Sequence, residues 1–182
     1  MNNFSFFLRP ISNKYPYREM SLFQVYQYLR GNSARTTTEE LRKLTDKNER
    51  RAYKSSHFDY VTFSGVFSYC NDASLVSHSR LLCIDLDDLG DRVEELFRTL
   101  MDHPMTLLLF HSPGGCGLKW VIEIDLAKCD HKTWFTAIRN YLMMTFRLSD
   151  SQVDKSCSNV SRGCFLGYDP DAYLRTDLIE YF

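Results

Sequence analysis

Carboxylates crowd the end of one short apolar segment of this sequence. Residues 81–84 are apolar, and Asp85, Asp87, Asp88 and Asp91 follow them. In a β-strand, residues i and i+2 face the same side about 6.6 Å apart, so Asp85 and Asp87 point the same way. Two such carboxylates do not ionise together cheaply without a cation between them, and Mg²⁺ prefers oxygen ligands. The spacing predicts a divalent-metal site; the alternative is an acidic turn that caps the next helix.

A second stretch suited to chemistry is HSPGGCGLKW, residues 111–120. Glycines let backbone N–H groups approach a phosphate closely, and a hydroxyl and an ammonium group flank them here. The spacing is not that of a P-loop, and a predicted strand follows rather than a helix. A plain β-hairpin loop is the alternative. The predicted nucleotide-binding residues of this stretch are Ser112, Gly114, Gly115, Gly117 and Lys119.

A third acid and an arginine stand further along, in DKSCSNVSRGCF. Asp154 lies in a polar loop, and Arg162 opens the next predicted strand. An arginine can hold a phosphate with two parallel hydrogen bonds, which a lysine cannot do. The alternative is that Asp154 shapes a turn and Arg162 pairs with a surface acid.

Composition limits what the rest of the chain can do. The 182 residues, 44% of them hydrophobic, suit one domain with a real core, and the net charge of −1 gives no overall positive field. Any basic surface must be local, and the polar segment 36–54, predicted as one helix, is the place for it. A solvated helix face of mixed charge is the alternative. The predicted nucleic-acid contacts are Lys43, Lys47, Arg50, Arg51 and Lys54.

Aromatic residues and cysteines add two expectations. Phe63, Phe67 and Tyr69 could stack on bases, although core packing is the commoner use of such residues. Six cysteines occur without any Cys-x-x-Cys pair, which favours a reducing, cytoplasmic compartment and no zinc site. No apolar run approaches membrane-spanning length, and the first residues do not resemble a signal peptide.

The order of predicted elements indicates an α+β fold. A helix in residues 20–31, the polar helix and a strand pair around Gly65 precede a β-α-β-β-α-β series, whose final strand is expected in GCFLGYD, residues 163–169. That series matches an RRM-like, split βαβ antiparallel sheet with helices on one face. We expect a single domain, 1–182, with a small N-terminal αβ appendage, mostly helical, in residues 1–56 and the core sheet in 57–175.

Taken in order, the motifs resemble the catalytic core of the archaeo-eukaryotic primase superfamily. The chain is most similar to the VirE N-terminal, primase-polymerase-like domain of bacterial mobile elements. The resemblance covers roughly residues 57–175 and rests on FDYVTFSGVFSY, CIDLDDL, SPGGCGLKWVIEID and VDKSCSNVSRGCFLGYDPDAY.

The resemblance implies template-directed nucleotidyl transfer that uses nucleoside triphosphates, Mg²⁺ or Mn²⁺ and a single-stranded template, in DNA replication. It leaves open a helicase partner. Many members of the superfamily carry Ser-x-His at the second motif, where this chain has a longer glycine loop and a lysine. The roles implied are metal binding for Asp85, Asp87 and Asp154, and nucleotide-phosphate binding for Ser112, Lys119 and Arg162.

Three other functions fit parts of the pattern. The lysine at the second motif permits a catalytically inactive nucleic-acid or nucleotide-binding domain of the same fold. CIDLDDLG is similar to the Asp-x-Asp loop of haloacid-dehalogenase phosphatases, with Asp85 as nucleophile and Asp87 as acid/base. A replication-initiation or relaxase nuclease would need a His-hydrophobe-His pair, which the sequence lacks.

Overall fold

The computed structural model describes residues 3–178 and has an α+β fold with antiparallel sheets, as the sequence predicts. Helices pack on the sheets. The α-helices are α1 (Leu22–Arg30), α2 (Arg35–Lys43), α3 (Lys47–His57), α4 (Val93–Met101) and α5 (His131–Phe146). The strands are β1 (Phe4–Phe7), β2 (Arg18–Met20), β3 (Tyr60–Thr62), β4 (Gly65–Phe67), β5 (Leu75–His78), β6 (Leu81–Leu86), β7 (Thr106–His111), β8 (Leu118–Glu123), β9 (Cys164–Phe165) and β10 (Tyr173–Leu174).

The central sheet has the strand order β10-β7-β8-β6. Along β6, alternate side chains face opposite sides, so Leu82, Ile84 and Leu86 pack beneath α4 and α5. Each of these helices presents a stripe of buried apolar residues at helical spacing, such as Phe135, Ile138 and Leu142 in α5. Burial of this face fixes the register of the strands, because a slip by one residue would turn the apolar side chains outward.

The opposite face of the central sheet packs against a second sheet, ordered β2-β1-β3-β9. Leu81, Leu108 and Val121 join Phe4 of β1 and residues of α1 in a second apolar cluster. Strand β1 lies between β2 and β3, so the N-terminal segment forms an interior strand of the second sheet. Side chains at the end of this face of the central sheet therefore lie between the two sheets.

The split βαβ unit is present, because β8 lies between β6 and β7 and runs antiparallel to both. The fourth strand differs from the sequence expectation. Strand β10 pairs with β7 through Tyr173 and Leu109, whereas GCFLGYD contributes only the short β9, which pairs with β3 in the second sheet. Gly163 permits this placement, since a Cβ there would stand 2.9 Å from the Tyr60 ring, closer than other residues allow.

The predicted single helix in 36–54 is wrong, because the structure has two helices, α2 and α3, there. Residues 44–46 leave the helical conformation, and the Asp46 carboxylate accepts hydrogen bonds from the backbone N–H groups of Asn48 and Glu49. An aspartate N-cap satisfies N–H groups that a helix start leaves without partners. None of the helices in residues 3–178 combines the length and the apolar character needed to cross a membrane.

Replacement of the cap tests why α3 begins where it does. Asp46→Ala is expected to lower the free energy of unfolding by about 1 kcal/mol, because two N–H groups lose their acceptor and the helix dipole loses its counter-charge. Urea unfolding measures the change. Met144→Ala, at an exposed position of α5 away from any helix start, is the control and should change stability by less than about 0.5 kcal/mol. Equal effects of the two substitutions would contradict the cap.

Candidate metal and phosphate site

Three carboxylates meet at the end of β6. Asp85, Asp87 and Asp154 each offer an oxygen, and these three atoms all lie within 4.8 Å of one another. Asp85 is 8% exposed, and its Oδ1 atom has no hydrogen-bond partner among the described residues. A buried carboxylate oxygen without a donor is costly unless a cation or water satisfies it. The set of oxygen ligands fits a hard divalent cation such as Mg²⁺ or Mn²⁺.

Backbone pairing brings the distant third acid to this place. Residues 152–154 run antiparallel to the end of β6, with an isolated bridge between Leu86 and Val153. The Asp154 N–H donates to the Asp85 carbonyl at 3.0 Å, and the Asp87 N–H donates to the Gln152 carbonyl at 2.9 Å. The three carboxylates are thus positioned by main-chain hydrogen bonds, which do not depend on the acidic side chains themselves.

Lys119 lies opposite Asp85 in the β6–β8 register and forms a buried ion pair with Asp85 Oδ2. Burial alone would lower the pKa of Lys119, but the Asp85 carboxylate outweighs it, so this pKa lies above the ordinary value. Lys119 is 7% exposed and reaches the carboxylate from inside the sheet sandwich. Its contact with Asp85 is a feature of the structure; its contact with a phosphate stays a prediction.

Each of the other two acids has a different environment. Burial, and then the Asp85 charge, raise the pKa of Asp87. Burial alone would also raise the pKa of Asp154, but the Ser156 backbone N–H and hydroxyl and the Arg162 guanidinium donate to its carboxylate, and the net pKa is lowered. Asp154 is therefore the more firmly charged of the two, and a cation would favour the charged form of Asp87.

A cleft of about 800 Å³ opens beside the acids. It is a volume suited to a small-molecule ligand. Its lining includes predicted residues from all three motifs: Asp87, Ser112, Gly114, Gly117 and Arg162. Asp85, Asp154, Gly115 and Lys119 are not in the lining.

The glycine hairpin between β7 and β8 forms one wall of this cleft. The Ser112 N–H donates to the Gly117 carbonyl, and a Cβ on Gly117 would stand 2.2 Å from the Leu86 carbonyl oxygen. Only glycine permits this approach, which seats the hairpin directly on the acidic strand. Gly115 has a φ of 79°, a conformation that favours glycine.

Helix α3 forms another part of the cleft wall. Four of the five predicted nucleic-acid contacts line the cleft: Lys47, Arg50, Arg51 and Lys54. Lys43, at the end of α2, is not in the lining. Arg50 Nη2 donates to the Gly114 carbonyl at 3.0 Å, and Arg42 Nε donates to the Pro113 carbonyl at 3.2 Å. These two arginines join the helical pair to the hairpin.

Lys54 connects this wall to the acids electrostatically. Burial, followed by the positive charge of Lys119, lowers the pKa of Lys54, while Asp87 and Asp85 oppose that shift. The cleft therefore brings the acidic side chain of Asp87 and several cationic side chains together in one lining. That arrangement suits a ligand that carries phosphates together with a divalent cation.

A second, much smaller cavity of about 20 Å³ lies behind the acids. Cys83, Cys157 and Cys164 line it together with Asp85 and Lys119. All six cysteines are free. Burial, and then the Asp85 charge, raise the pKa of the Cys157 thiol to about 12.

Two histidines support the loop that carries Asp154. His131 Nε2 lies 3.2 Å from the Cys157 carbonyl, and His131 Nδ1 lies 3.2 Å from His78 Nε2. The Arg80 backbone N–H donates to His78 Nδ1. All three contacts are satisfied when both rings are neutral and carry their proton on Nε2. Burial lowers both pKa values, that of His78 to about 4.

The sequence patterns did not predict several residues that contribute to the site. Ser156 could have been found, because Asp-x-Ser is a local turn in which the acid accepts from the residue two positions on. Lys14, Asn159 and the two histidines carry no such signal, since long-range packing brings them here. Phe63 and Phe67 are buried, so base stacking is wrong for them, whereas Tyr69 is exposed.

Comparison with known families gave one result. A family model described as BT4734-like, N-terminal domain matches residues 52–174, well over half of the chain. The matched stretch begins within α3 and ends in β10, so it contains all three acids, the hairpin and Arg162. Searches of curated proteins and of solved structures gave no match.

Removal of the buried lysine tests its role beside Asp85. Lys119→Met is expected to lower the free energy of unfolding by about 3–5 kcal/mol, because it leaves a buried carboxylate without its counter-charge. Urea unfolding in EDTA measures this loss. The double variant Asp85→Asn/Lys119→Met should lose less than Lys119→Met alone, since no unpaired charge remains. A loss for Lys119→Met of under 1 kcal/mol would contradict the ion pair.

The histidine pair predicts a pH dependence of stability. Both pKa values are lower in the folded state, so below pH 6.5 the unfolded chain binds protons more readily and stability falls as the pH drops towards 4. His78→Gln should show a smaller fall than the wild type in urea unfolding measured at pH 7 and pH 5. His57→Gln, exposed on α3, should follow the wild type. Parallel pH curves for His78→Gln and the wild type would refute this assignment.

Proposed function

We propose that this chain, which belongs to the family of BT4734-like N-terminal domains, is a primase-polymerase-like nucleotidyltransferase. It would extend a strand on a single-stranded nucleic-acid template from nucleoside triphosphates, with Mg²⁺ or Mn²⁺. The observation that carries the proposal is the cluster of three carboxylates beside a cleft lined by several cationic side chains. The resemblance of the motifs to primase-polymerase domains supplies the reaction type.

The three acids would meet one requirement of nucleotidyl transfer, which is to bind divalent ions. In nucleotidyl transfer a 3′ hydroxyl oxygen forms a bond to the α-phosphorus, the bond to pyrophosphate breaks, and the hydroxyl proton departs. Divalent ions, when bound, stabilise the attacking and leaving oxygens. Asp85, Asp87 and Asp154 would hold these ions. Asp85 Oδ1, which has no donor, is the oxygen most in need of one.

The cationic wall would hold the triphosphate. Arg162 already donates to Asp154 and lines the cleft, so it can bridge between an acid and a phosphate. Lys54, Arg50 and the Ser112 hydroxyl line the same cleft. These groups are fixed before the substrate arrives, and fixed donors favour the charge that develops on the leaving phosphates. The remaining cations of α3 are available to the template backbone.

Two alternatives remain within the proposal. An inactive domain of the same fold would bind nucleotide and metal without transfer. A haloacid-dehalogenase-type phosphatase fits less well, because its nucleophile would be Asp85, which is buried and paired with Lys119. A cytoplasmic location and a helicase partner belong to the same proposal and rest on the resemblance.

A primer-extension assay tests the proposal. Wild-type protein is expected to add nucleotides to a primer on single-stranded template when Mn²⁺ or Mg²⁺ is present, and to add none in EDTA. Asp87→Asn should reduce the rate by about 100-fold or more, because it removes one metal ligand while keeping the shape of the side chain. Asp91→Asn, at an exposed acid outside the cleft lining, is the matched control and should keep wild-type activity.

Separate measurements distinguish the alternatives. Mn²⁺ binding followed by electron paramagnetic resonance reports the metal site without requiring turnover. Binding of Mn²⁺ that Asp87→Asn weakens, with no extension by the wild type, would indicate the inactive binding domain. Release of phosphate from small phosphoesters without a template would favour the phosphatase. Equal extension by the wild type and Asp87→Asn would contradict the catalytic role assigned to the acids.

A further inference from the structure

We propose that Tyr15 and Tyr69 form a platform at the mouth of the cleft on which bases of a single-stranded nucleic acid stack. The choice of partner rests on the proposed function, whereas the binding surface is additional to it. The cleft accounts for phosphates and metal, but it offers few exposed aromatic faces for bases. These two tyrosines lie outside the core and beside the cleft lining.

The two rings form a compact exposed pair. Tyr15 is 69% exposed and Tyr69 is 36% exposed, and their ring centroids lie 5.1 Å apart in an edge-to-face arrangement. Most large apolar side chains of this domain are buried, so a paired aromatic surface in solvent calls for an explanation. Tyrosine suits such a site, because its ring is apolar on the face and its hydroxyl remains in water.

Backbone contacts connect the pair to the cleft. The Cys70 N–H donates to the Lys14 carbonyl at 2.8 Å, which holds the residue after Tyr69 against the residue before Tyr15. Lys14 and Cys70 both line the cleft. The platform is therefore the outward continuation of the cleft rim, one residue removed from its lining on each segment.

The same rim is tied to the residues of the candidate site. Cys70 Sγ contacts the Ser161 carbonyl at 3.5 Å, and Asp72 accepts hydrogen bonds from the backbone and hydroxyl of Ser161. Ser161 precedes Arg162, the residue that binds Asp154. The platform is thus fixed relative to the acids, so bases stacked on it would keep a constant position with respect to them.

The charge beside the platform favours a polyanion. Lys14 and Arg162, on the segments next to the tyrosines, line the cleft together with Lys47, Arg50, Arg51 and Lys54 of α3. The nearest acid on the loop, Asp72, is engaged by Ser161. Aromatic faces beside a cationic groove are the combination that proteins use for single strands, because every base has a π-face and every nucleotide a phosphate. An apolar protein partner would use the rings but not the row of cations.

Equilibrium binding of a 5′-fluorescein oligo(dT) of about 12 nucleotides, followed by fluorescence anisotropy, tests the platform. The full chain is titrated at fixed salt in EDTA, so neither metal nor catalysis contributes. We expect the Tyr15→Leu/Tyr69→Leu double variant to bind roughly tenfold more weakly than the wild type or worse, because leucine keeps apolar bulk but has no ring to stack. The Tyr15→Phe/Tyr69→Phe double variant keeps both rings and should bind within about twofold of the wild type.

Thermal unfolding of all three proteins ensures that the comparison is made between folded chains. Met144→Ala, at an exposed side chain of α5, checks that an unrelated surface change leaves binding unaltered. The inference is overturned if the leucine variant binds as tightly as the wild type, if the phenylalanine variant is as weak as the leucine variant, or if the wild type does not bind the oligonucleotide.

Primer extension by the same proteins separates this inference from the proposed function. Weaker oligonucleotide binding by the leucine variant, with no extension by the wild type, would support the platform and refute nucleotidyl transfer. Extension by the wild type, with undiminished oligonucleotide binding by the leucine variant, would support the transfer and refute the platform.

Discussion

Repulsion among three neighbouring carboxylates is the constraint around which this domain is arranged. Their oxygens lie within 4.8 Å of one another, where like charges oppose folding. Lys119 offsets part of that charge from inside the sandwich, and Arg162 offsets part of it from the cleft. Each cation contacts a single acid, and the charge left over is concentrated at Asp85 Oδ1 and Asp87.

Main-chain hydrogen bonds hold the three acids close together despite their repulsion. Strand β6 contains Asp85 and is followed at once by Asp87, and its apolar residues bury it between helices and a second sheet. The loop segment with the third acid pairs with the same strand end, and the histidine pair holds the following turn through the Cys157 carbonyl. The backbone at the acids is consequently held by hydrogen bonds that are indifferent to carboxylate charge, and Asp85 Oδ1 is left without a donor among the described residues.

Sequence patterns predicted much of this arrangement, for identifiable reasons. The α+β class, the strand that contains Asp85, and helix α5 follow from local periodicity, which depends only on neighbouring residues. The break at Asp46 was also encoded locally, as an N-cap within a polar run, but a helical pattern extended across it. The fourth strand could not be predicted in the same way. The segment GCFLGYD pairs with β3 instead, and this placement includes a close contact between Gly163 and Tyr60, which are far apart in the sequence.

The site was predicted less completely than the fold. Asp154 was found by motif order, yet its contact with β6 depends on pairing between strands about 70 residues apart, which no local pattern carries. Lys119 was found as a charge in a strand, but its direction depends on the register of β8 against β6. The position of α3 beside the cleft likewise depends on a tertiary contact, the hydrogen bond from Arg50 to the hairpin.

The Cys157 thiol beside the acids has a consequence for which ions can compete there. With a pKa near 12, this sulfur keeps its proton at neutral pH. A thiol must be deprotonated to coordinate zinc, so Cys157 is a poorer ligand for a soft metal than a thiol of ordinary pKa. Burial of this sulfur thus favours carboxylate oxygens over Cys157 as ligands for any cation at this place.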